Sequence, residues 1–374
     1  MRILQLSKFY PPVLGGIETV AWELSEGLAR LGVRCDVLCS AQTGSGAADS
    51  PSASYDVVRA SALGRVLSTS LAPTMPLHLR RMVQRADVLH VHMPDPMAAA
   101  AVWLVRPRRP IVVHWHSDVI RQRRALRAYE PLQRWLLARA AAIVATSPPY
   151  AESSEPLRPF RDKISVIPIG ISDHRGAACS QQAAELKRRF RGRRLVFALG
   201  RMTYYKGFDV LVQAAEQLPE DCAVLIGGEG ELLERLRADV ARRGLAGKVH
   251  LPGHIPDDEL PSHFEACDIF CMASTVRAEA YGVAMLEAMV MGKPVVAMDI
   301  DGSGVPWVNR HLETGLNVPP GDAHALASAL NRLLTDETLR QRLGAAARDR
   351  YEAEFGADRM TQSLLALYRR ISAG

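Results

Sequence analysis

No stretch of this chain of 374 residues reaches the roughly 18 uncharged apolar residues that a membrane-spanning helix needs. The opening Met1-Arg2-Ile3-Leu4-Gln5-Leu6 lacks the apolar core of a signal peptide, so residence in the cytoplasm is expected. The six cysteines (Cys35, Cys39, Cys179, Cys222, Cys267 and Cys271) form no C-x-x-C pair. Most sit in apolar segments, which favours buried free thiols in a reducing compartment over a disulfide framework. There is no solenoid period, no long low-complexity run and no G-x-G-x-x-G dinucleotide fingerprint. What is present is ordinary globular composition, 48% apolar and 23% charged, which argues against extended disorder.

The length suggests two domains. Charge divides along the same lines: residues 1–171 carry +8, and the rest carries −2. A basic first half can attract nucleic acid, anionic lipid or a phosphorylated substrate, and charge alone does not choose among them. Short apolar runs alternate with helical patterns. Strands are expected at Arg2–Leu6, Cys35–Cys39, Val88–His92, Ile111–His116, Ile143–Thr146 and Ser165–Ile169. A second series follows at Leu195–Gly200, Ala223–Ile226, Val249–Leu251, Ile269–Met272 and Pro294–Met298. Polar Ile171–Ser180 separates the series as a linker. Thr43–Ser54, rich in Gly, Ala and Ser, reads as a mobile loop. The expected architecture is α/β: two doubly wound Rossmann-like domains, 1–171 and 181–350, facing a central cleft. Ligands of such sheets bind beyond the carboxyl ends of the strands.

Four segments carry chemistry. Glu279-Ala-Tyr281-Gly282-Val283-Ala-Met-Leu-Glu287 places one carboxylate in a loop and a second inside an apolar helix. The helix starts near Gly282, so Gly282 and Val283 offer backbone N–H groups to an anion. Glu279 suits sugar hydroxyls and Glu287 a ribose diol. Gly200-Arg201-Met-Thr-Tyr-Tyr-Lys206-Gly207 sets two cations after a strand, a diphosphate clamp in which Arg201 binds bidentate and Lys206 acts as a point charge. Gly15-Gly16, between the first strand and first helix, lets a ligand approach the backbone, as does Gly227-Gly228-Glu229-Gly230.

Taken in chain order, the Gly15-Gly16 loop, the Arg201–Gly207 segment, the Gly227–Gly230 turn and the two-glutamate motif resemble glycosyltransferase family 4, retaining enzymes of the GT-B fold, over nearly the whole chain. The resemblance implies a nucleotide-sugar donor, with Arg201 and Lys206 on its diphosphate, Glu287 on its ribose and Glu279 on the transferred sugar. Gly228, Glu229 and His254 would lie near the base, and His116, in His116-Ser117-Asp118, near the sugar. The first domain would bind a lipid-linked or saccharide acceptor, and the tail 351–374 would return to it. Mannose from GDP-mannose is the first expectation, by general likeness to bacterial polysaccharide and lipopolysaccharide mannosyltransferases.

No metal or other cofactor is expected. His90-Val-His92 and His114-Trp-His116 each put two imidazoles on one strand face, but sequence places no acidic or cysteine ligand beside them. His114 reads as a packed residue and Asp118 as a helix cap. Asp299-Ile300-Asp301 matches a metal–diphosphate string by chance occurrence. Gly302-Ser303-Gly304-Val305 departs from the family's Gly-Gly-and-glutamate pattern, which puts a ligand contact there in doubt. The helix over Arg121–Arg139, with Arg123, Arg124, Leu126, Trp135 and Leu136, suits peripheral contact with an anionic membrane. Nucleic acid is not an expected partner. The rival readings are a nucleotide-sugar epimerase of similar shape and a non-catalytic nucleotide-sugar or nucleic-acid binding protein.

Overall fold

Strands buried on both faces must be apolar almost throughout, and the segments that meet this demand pair in parallel in a computed structural model of the chain. The structure describes all residues except Leu14, Thr43, Ser45, Ala53, Leu67, Ser68, Arg121, Gln122 and Gly374. The side chains of 47–52, Val66 and 123–126 are also outside the description. The chain divides into two units, Met1–Ser172 with Ala357–Gly374, and Asp173–Gly356.

The first unit runs β1 (Arg2–Leu6), α1 (Gly16–Arg30), β2 (Arg34–Ser40), β3 (Ala47–Ser52), β4 (Tyr55–Ala60), the two-residue strands β5 (Arg65–Val66) and β6 (Thr69–Ser70), α2 (Met75–Met82), β7 (Val88–Met93), α3 (Pro96–Val105), β8 (Ile111–Trp115), α4 (Arg123–Arg139), β9 (Ala142–Ala145), α5 (Pro148–Ser153) and β10 (Ile164–Val166). Its main sheet has the order β10-β9-β8-β7-β1-β2-β4-β3. All pairs are parallel except β3 with β4. That pair corrects the loop expected at Thr43–Ser54: within it, Ala47–Ser52 is an edge strand. Main-chain hydrogen bonds hold it, so no apolar pattern announces it.

The second unit runs α6 (Ser180–Arg189), β11 (Arg194–Leu199), α7 (Phe208–Ala214), β12 (Cys222–Gly227), α8 (Leu233–Arg242), β13 (Val249–Gly253), α9 (Leu260–Ala266), β14 (Ile269–Met272), α10 (Val283–Val290), β15 (Val295–Met298), α11 (Val305–Val308), β16 (Gly315–Val318), α12 (Ala323–Thr335) and α13 (Glu337–Glu354). Its six strands, all parallel, take the order β13-β12-β11-β14-β15-β16. Among the parallel strands the order reverses between β1 and β7 in the first sheet and between β11 and β14 in the second. A crevice opens at such a reversal beyond the carboxyl ends of the strands.

The last helix, α14 (Ala357–Ser372), belongs to the first unit. Residues 351–356 complete the second unit, so the tail expected to return from Tyr351 does so only at Ala357. The Ala357 N–H bonds the Ile171 carbonyl at 2.9 Å. Met360, Leu364, Leu367 and Tyr368 are buried, each fully buried large apolar side chain contributing about 1.5–3 kcal/mol. Helix α14 approaches α1 so closely that a Cβ at Gly27 would stand 2.2 Å from Thr361 Oγ1.

Candidate functional site

Lys206 and Glu279 come from the two loops that flank the second sheet's reversal point. Beyond β11 the chain makes one 3₁₀ turn, Tyr204–Lys206, and enters α7 through Gly207. Gly207 is left-handed, with φ 62°, and a Cβ there would lie 2.0 Å from the Ala273 carbonyl oxygen. Only glycine allows this approach, which delivers Lys206 to the loop after β14. Lys206 Nζ donates to Glu279 Oε2 at 2.6 Å, and Ser274 Oγ donates to the same oxygen at 2.8 Å. The two charged side chains are 12% and 11% exposed. Burial opposes the Lys206 charge, as Arg201 does more weakly. The Glu279 carboxylate, the Tyr205 phenol and the Glu279 hydrogen bond outweigh both and raise the lysine above its usual value.

The Glu279 loop is braced from β15's exit. Ser303 Oγ donates to the Glu279 carbonyl at 2.5 Å and accepts from Val305 N at 3.1 Å, while Gly304 N donates to Ala280 O at 2.8 Å. The Gly302–Val305 segment therefore supports the site from behind. Ser274 escaped the sequence reading because a lone serine after a strand carries no signal of its own; Ser303 was read only as part of Gly302–Val305, without its hydroxyl's brace to the Glu279 loop. Gly282 caps α10 in the left-handed region, φ 85°, with no side-chain cap, so Val283 begins the helix. Glu287 lies one turn on and is half-buried. The Tyr281 side chain corrects its expected donor role. It is buried against Trp307 and Phe355, 6.5 and 6.4 Å between ring centres, which leaves its backbone as the part beside Gly282.

Arg201 is exposed immediately after β11. Its neighbour loop follows β12, where a Cβ at Gly228 would lie 2.0 Å from the Gly200 carbonyl oxygen. Glu229 O accepts from Met202 N at 2.7 Å, and Gly228 N donates to Gly253 O at 2.7 Å. Glu229 and His254 are both exposed at these strand ends. Asp299 and Asp301 are exposed in the turn after β15.

His116 lies in the first unit, directly after β8, whereas Arg201, Lys206 and Glu279 lie in the second. It ends a buried histidine cluster. His92 and His114 face each other in register on β7 and β8. His92 Nδ1 meets His116 Nε2 at 2.8 Å, and His92 Nε2 meets Gln5 Oε1 at 2.6 Å. His90 Nε2 meets His114 Nδ1 at 3.2 Å, and Tyr368 Oη meets His90 Nδ1 at 2.7 Å. His90, His92 and His114 bring ligand-type atoms within 4.8 Å of one another. Both nitrogens of His90 and of His92 are already hydrogen-bonded, so only His114 Nε2 is open. A metal ion would have to break this network.

At the start of α1 the Gly15 backbone is extended, and a Cβ there would lie 2.3 Å from Glu18 Oε2. The Glu18 carboxylate thus folds over Gly15, and the positive end of the helix favours it there. An anion approaching Gly15 and Gly16 would meet that charge. Asp118 accepts from Trp115 Nε1 at 2.9 Å and Ser154 Oγ at 2.7 Å; the helix start it was expected to cap, at Arg121 and Gln122, lies outside the described residues. In the basic helix α4, Leu136 is buried and Trp135 half-buried, so its apolar side packs inward. Arg121 and the side chains of Arg123, Arg124 and Leu126 lie outside the described residues. Among the described residues no helix is long and apolar enough to cross a membrane.

The chain thus has two doubly wound units, the second holding a buried cation against a carboxylate at its reversal point. Residues 14–175 match the family model Glycosyltransferase Family 4, and residues 182–350 match Glycosyl transferases group 1. The chain is 33% identical to O-antigen chain mannosyltransferase C of Escherichia coli, over 98% of each chain. It is also 33% identical to D-rhamnosyltransferase WbpZ of Pseudomonas aeruginosa, over 96% of this chain and 93% of that one. Sucrose-phosphate synthase from Thermosynechococcus elongatus superimposes with a TM-score of 0.84 at 22% identity, covering 100% of this chain and 99% of that one. Anabaena HepE in complex with UDP-glucose gives 0.78 at 20%, covering 99% and 100%. The chain belongs to glycosyltransferase family 4 and is a transferase enzyme.

Proposed function

We propose that the enzyme is a retaining hexosyltransferase that moves mannose from GDP-mannose to a lipid-linked or saccharide acceptor in polysaccharide or glycolipid synthesis. The observation that carries this reading is the Lys206–Glu279 pair at the second sheet's reversal point, beside the N-terminus of α10. Arg201 and Lys206 hold the donor diphosphate and stabilise its charge as it leaves. Glu279 accepts from hydroxyls of the transferred sugar, Glu287 from the ribose, and Gly282 and Val283 present N–H groups to phosphate. Gly228, Glu229 and His254 lie toward the base. The acceptor oxygen bonds to the anomeric carbon on the face from which the diphosphate departs, and the acceptor's proton passes to a diphosphate oxygen. The protein's part is position and charge stabilisation, with no metal ion.

The mannosyltransferase name of one relative supports the choice of sugar. The equally similar D-rhamnosyltransferase makes a D-rhamnose donor the alternative. A thermal-shift screen across GDP-, UDP- and ADP-sugars tests the donor, since a ligand at 100 times its dissociation constant adds about 2.7 kcal/mol. Stabilisation by GDP-mannose, followed by transfer with the anomeric configuration retained, is the expected result. Stabilisation only by UDP- or ADP-sugars overturns the donor assignment. Peripheral contact with an anionic membrane is part of the reading. Exposed Trp103 and Leu104, with Arg106, Arg108 and Arg109 following, support it.

A further inference from the structure

Arg350, on α13, is a buried cation held by aromatic rings. Its side chain is 4% exposed. The guanidinium lies 5.4 Å from the Trp307 ring centre and 5.2 Å from that of Phe355. Nη2 donates to the Trp307 carbonyl oxygen at 3.0 Å and to Glu354 Oε2 at 3.3 Å. Nε and Nη1 are buried with no hydrogen-bond partner. Unpaired donors out of water cost stability, and an uncharged side chain of similar bulk would fill the place at less cost. What the guanidinium adds is direction. A planar cationic fork stacks on rings and donates along fixed lines, which no apolar side chain does.

The element it directs is α11. That helix is a single turn, Val305–Val308, which leaves its last carbonyls without partners inside the helix. Arg350 supplies the donor for Trp307, at the end of a helix that favours positive charge. The other end of α11 begins in the segment that braces the Glu279 loop, where Ser303 Oγ donates to Glu279 O and Gly304 N to Ala280 O. A second path runs through rings. Tyr281 follows Ala280, and its ring packs on both Trp307 and Phe355, which are 5.7 Å apart between ring centres. Both paths start at Arg350 and end on the loop that carries Glu279 and leads into α10. The neighbouring Arg348 donates to the Val290 carbonyl at 2.9 Å, at the far end of α10. All these residues belong to the second unit.

We propose that Arg350 is a positioning residue for nucleotide-sugar binding: from α13 it fixes α11 and the Tyr281 ring, and through them the Glu279 loop and the start of α10. This rests on the donor reading above. Arg350 acts through these neighbours and not by contact with the donor. Its removal loosens the loop, so Glu279 and the Gly282 and Val283 N–H groups lose their preset directions, while Lys206 and Arg201 stay in place on another loop.

The test titrates the full chain by calorimetry with GDP-mannose, UDP-glucose and ADP-glucose, and repeats the titration on Arg350→Met with whichever of them binds. Arg350→Met removes the bond to Trp307 and the stack with little change of bulk. It is expected to fold and to bind that donor about tenfold more weakly at unchanged stoichiometry. Partial unfolding alone would lower the stoichiometry and leave the affinity of the folded fraction as it was. Unchanged affinity in the variant therefore overturns the proposal. If Arg350→Met does not fold, wild-type protein labelled with 5-fluorotryptophan decides. Trp307 is the second unit's one tryptophan, so its ¹⁹F resonance is assigned by Trp307→Phe and reports on the Arg350 stack. That resonance is expected to shift as donor binds, because the loop and the stack move as one. Binding seen by calorimetry with a stationary Trp307 resonance overturns the proposal. Failure of all three nucleotide sugars to bind the wild type overturns the donor reading, and is distinct from a variant that matches a wild type that binds.

Discussion

Lys206 and Glu279 are 73 residues apart in sequence and 2.6 Å apart in the fold, joined because β11 and β14 are neighbours at the point where the second sheet reverses. The pair is largely withdrawn from water, and Ser274 supplies the carboxylate's second hydrogen bond. A lysine held this way is charged, fixed in direction and already desolvated. Those are the properties a diphosphate clamp needs before the ligand arrives.

Lys206→Met is expected to stop transfer and also to lower stability, because it strands Glu279 with Ser274 alone. Removing one partner of a buried pair costs about 3–5 kcal/mol. Chemical denaturation should show a loss of this size, and the double variant Lys206→Met/Glu279→Gln should lose less than the sum of the two single changes. Full additivity would mean that the two groups do not interact in solution.

Activity is expected to survive excess chelator. In the proposed reading, Arg201, Lys206 and the N-terminus of α10 supply the positive charge that a metal ion would otherwise bring. Loss of transfer in EDTA, restored by magnesium or manganese, would assign that role to a metal and return attention to Asp299 and Asp301.

The strand series and the site motifs were legible because they obey local rules. Buried parallel strands are apolar runs, and Ile269–Met272 and Arg2–Leu6 stand where the runs are. Arg201, Lys206, Glu279 and Gly282 announce themselves by charge and glycine after strands. The rest depended on partners distant in sequence. Strand β3 is defined by its pairing with β4, not by its own composition. Ser303 matters only because its hydroxyl reaches the Glu279 carbonyl 24 residues away. His90 and His92 carried no legible role in sequence; their nitrogens are taken up by Tyr368 and Gln5, 278 and 87 residues away. Tyr281 sits inside the site motif, yet its ring follows the aromatic cluster.

The first unit is expected to bind vesicles containing anionic lipid, and more weakly as salt rises. Trp103 and Leu104 are 43% and 61% exposed at the end of α3, and the Arg106 guanidinium lies 5.7 Å from the Trp103 ring centre. Each Lys or Arg near an anionic surface contributes about 1 kcal/mol. Reversing Arg106, Arg108 and Arg109 to glutamate should abolish sedimentation with vesicles and leave binding of soluble donor unchanged. Equal sedimentation of wild type and variant would move the membrane contact elsewhere.

Stability of the first unit is expected to fall steeply in mild acid. Burial pushes His114 down to about 3, and burial with neighbouring rings holds His90, His92 and His116 well below the usual value. Free histidine titrates near about 6.5. Between the lowered folded values and about 6.5, the unfolded chain binds protons that the folded chain refuses, so stability rises with pH across this window. The contribution is complete above about pH 6.5 and is lost as pH falls toward 3. Each histidine contributes a slope of about 1.4 kcal/mol per pH unit, and four together about 5. Four of the five tryptophans, Trp22, Trp103, Trp115 and Trp135, report on this unit. Their fluorescence should give a urea midpoint that is level from pH 7 to 8 and drops below pH 6. His114→Leu should reduce the slope by about one proton, since it removes one titrating ring, though it also strands His90 Nε2, its 3.2 Å partner. A midpoint that stayed level from pH 6 to 5 would show that the cluster carries charge in the folded protein.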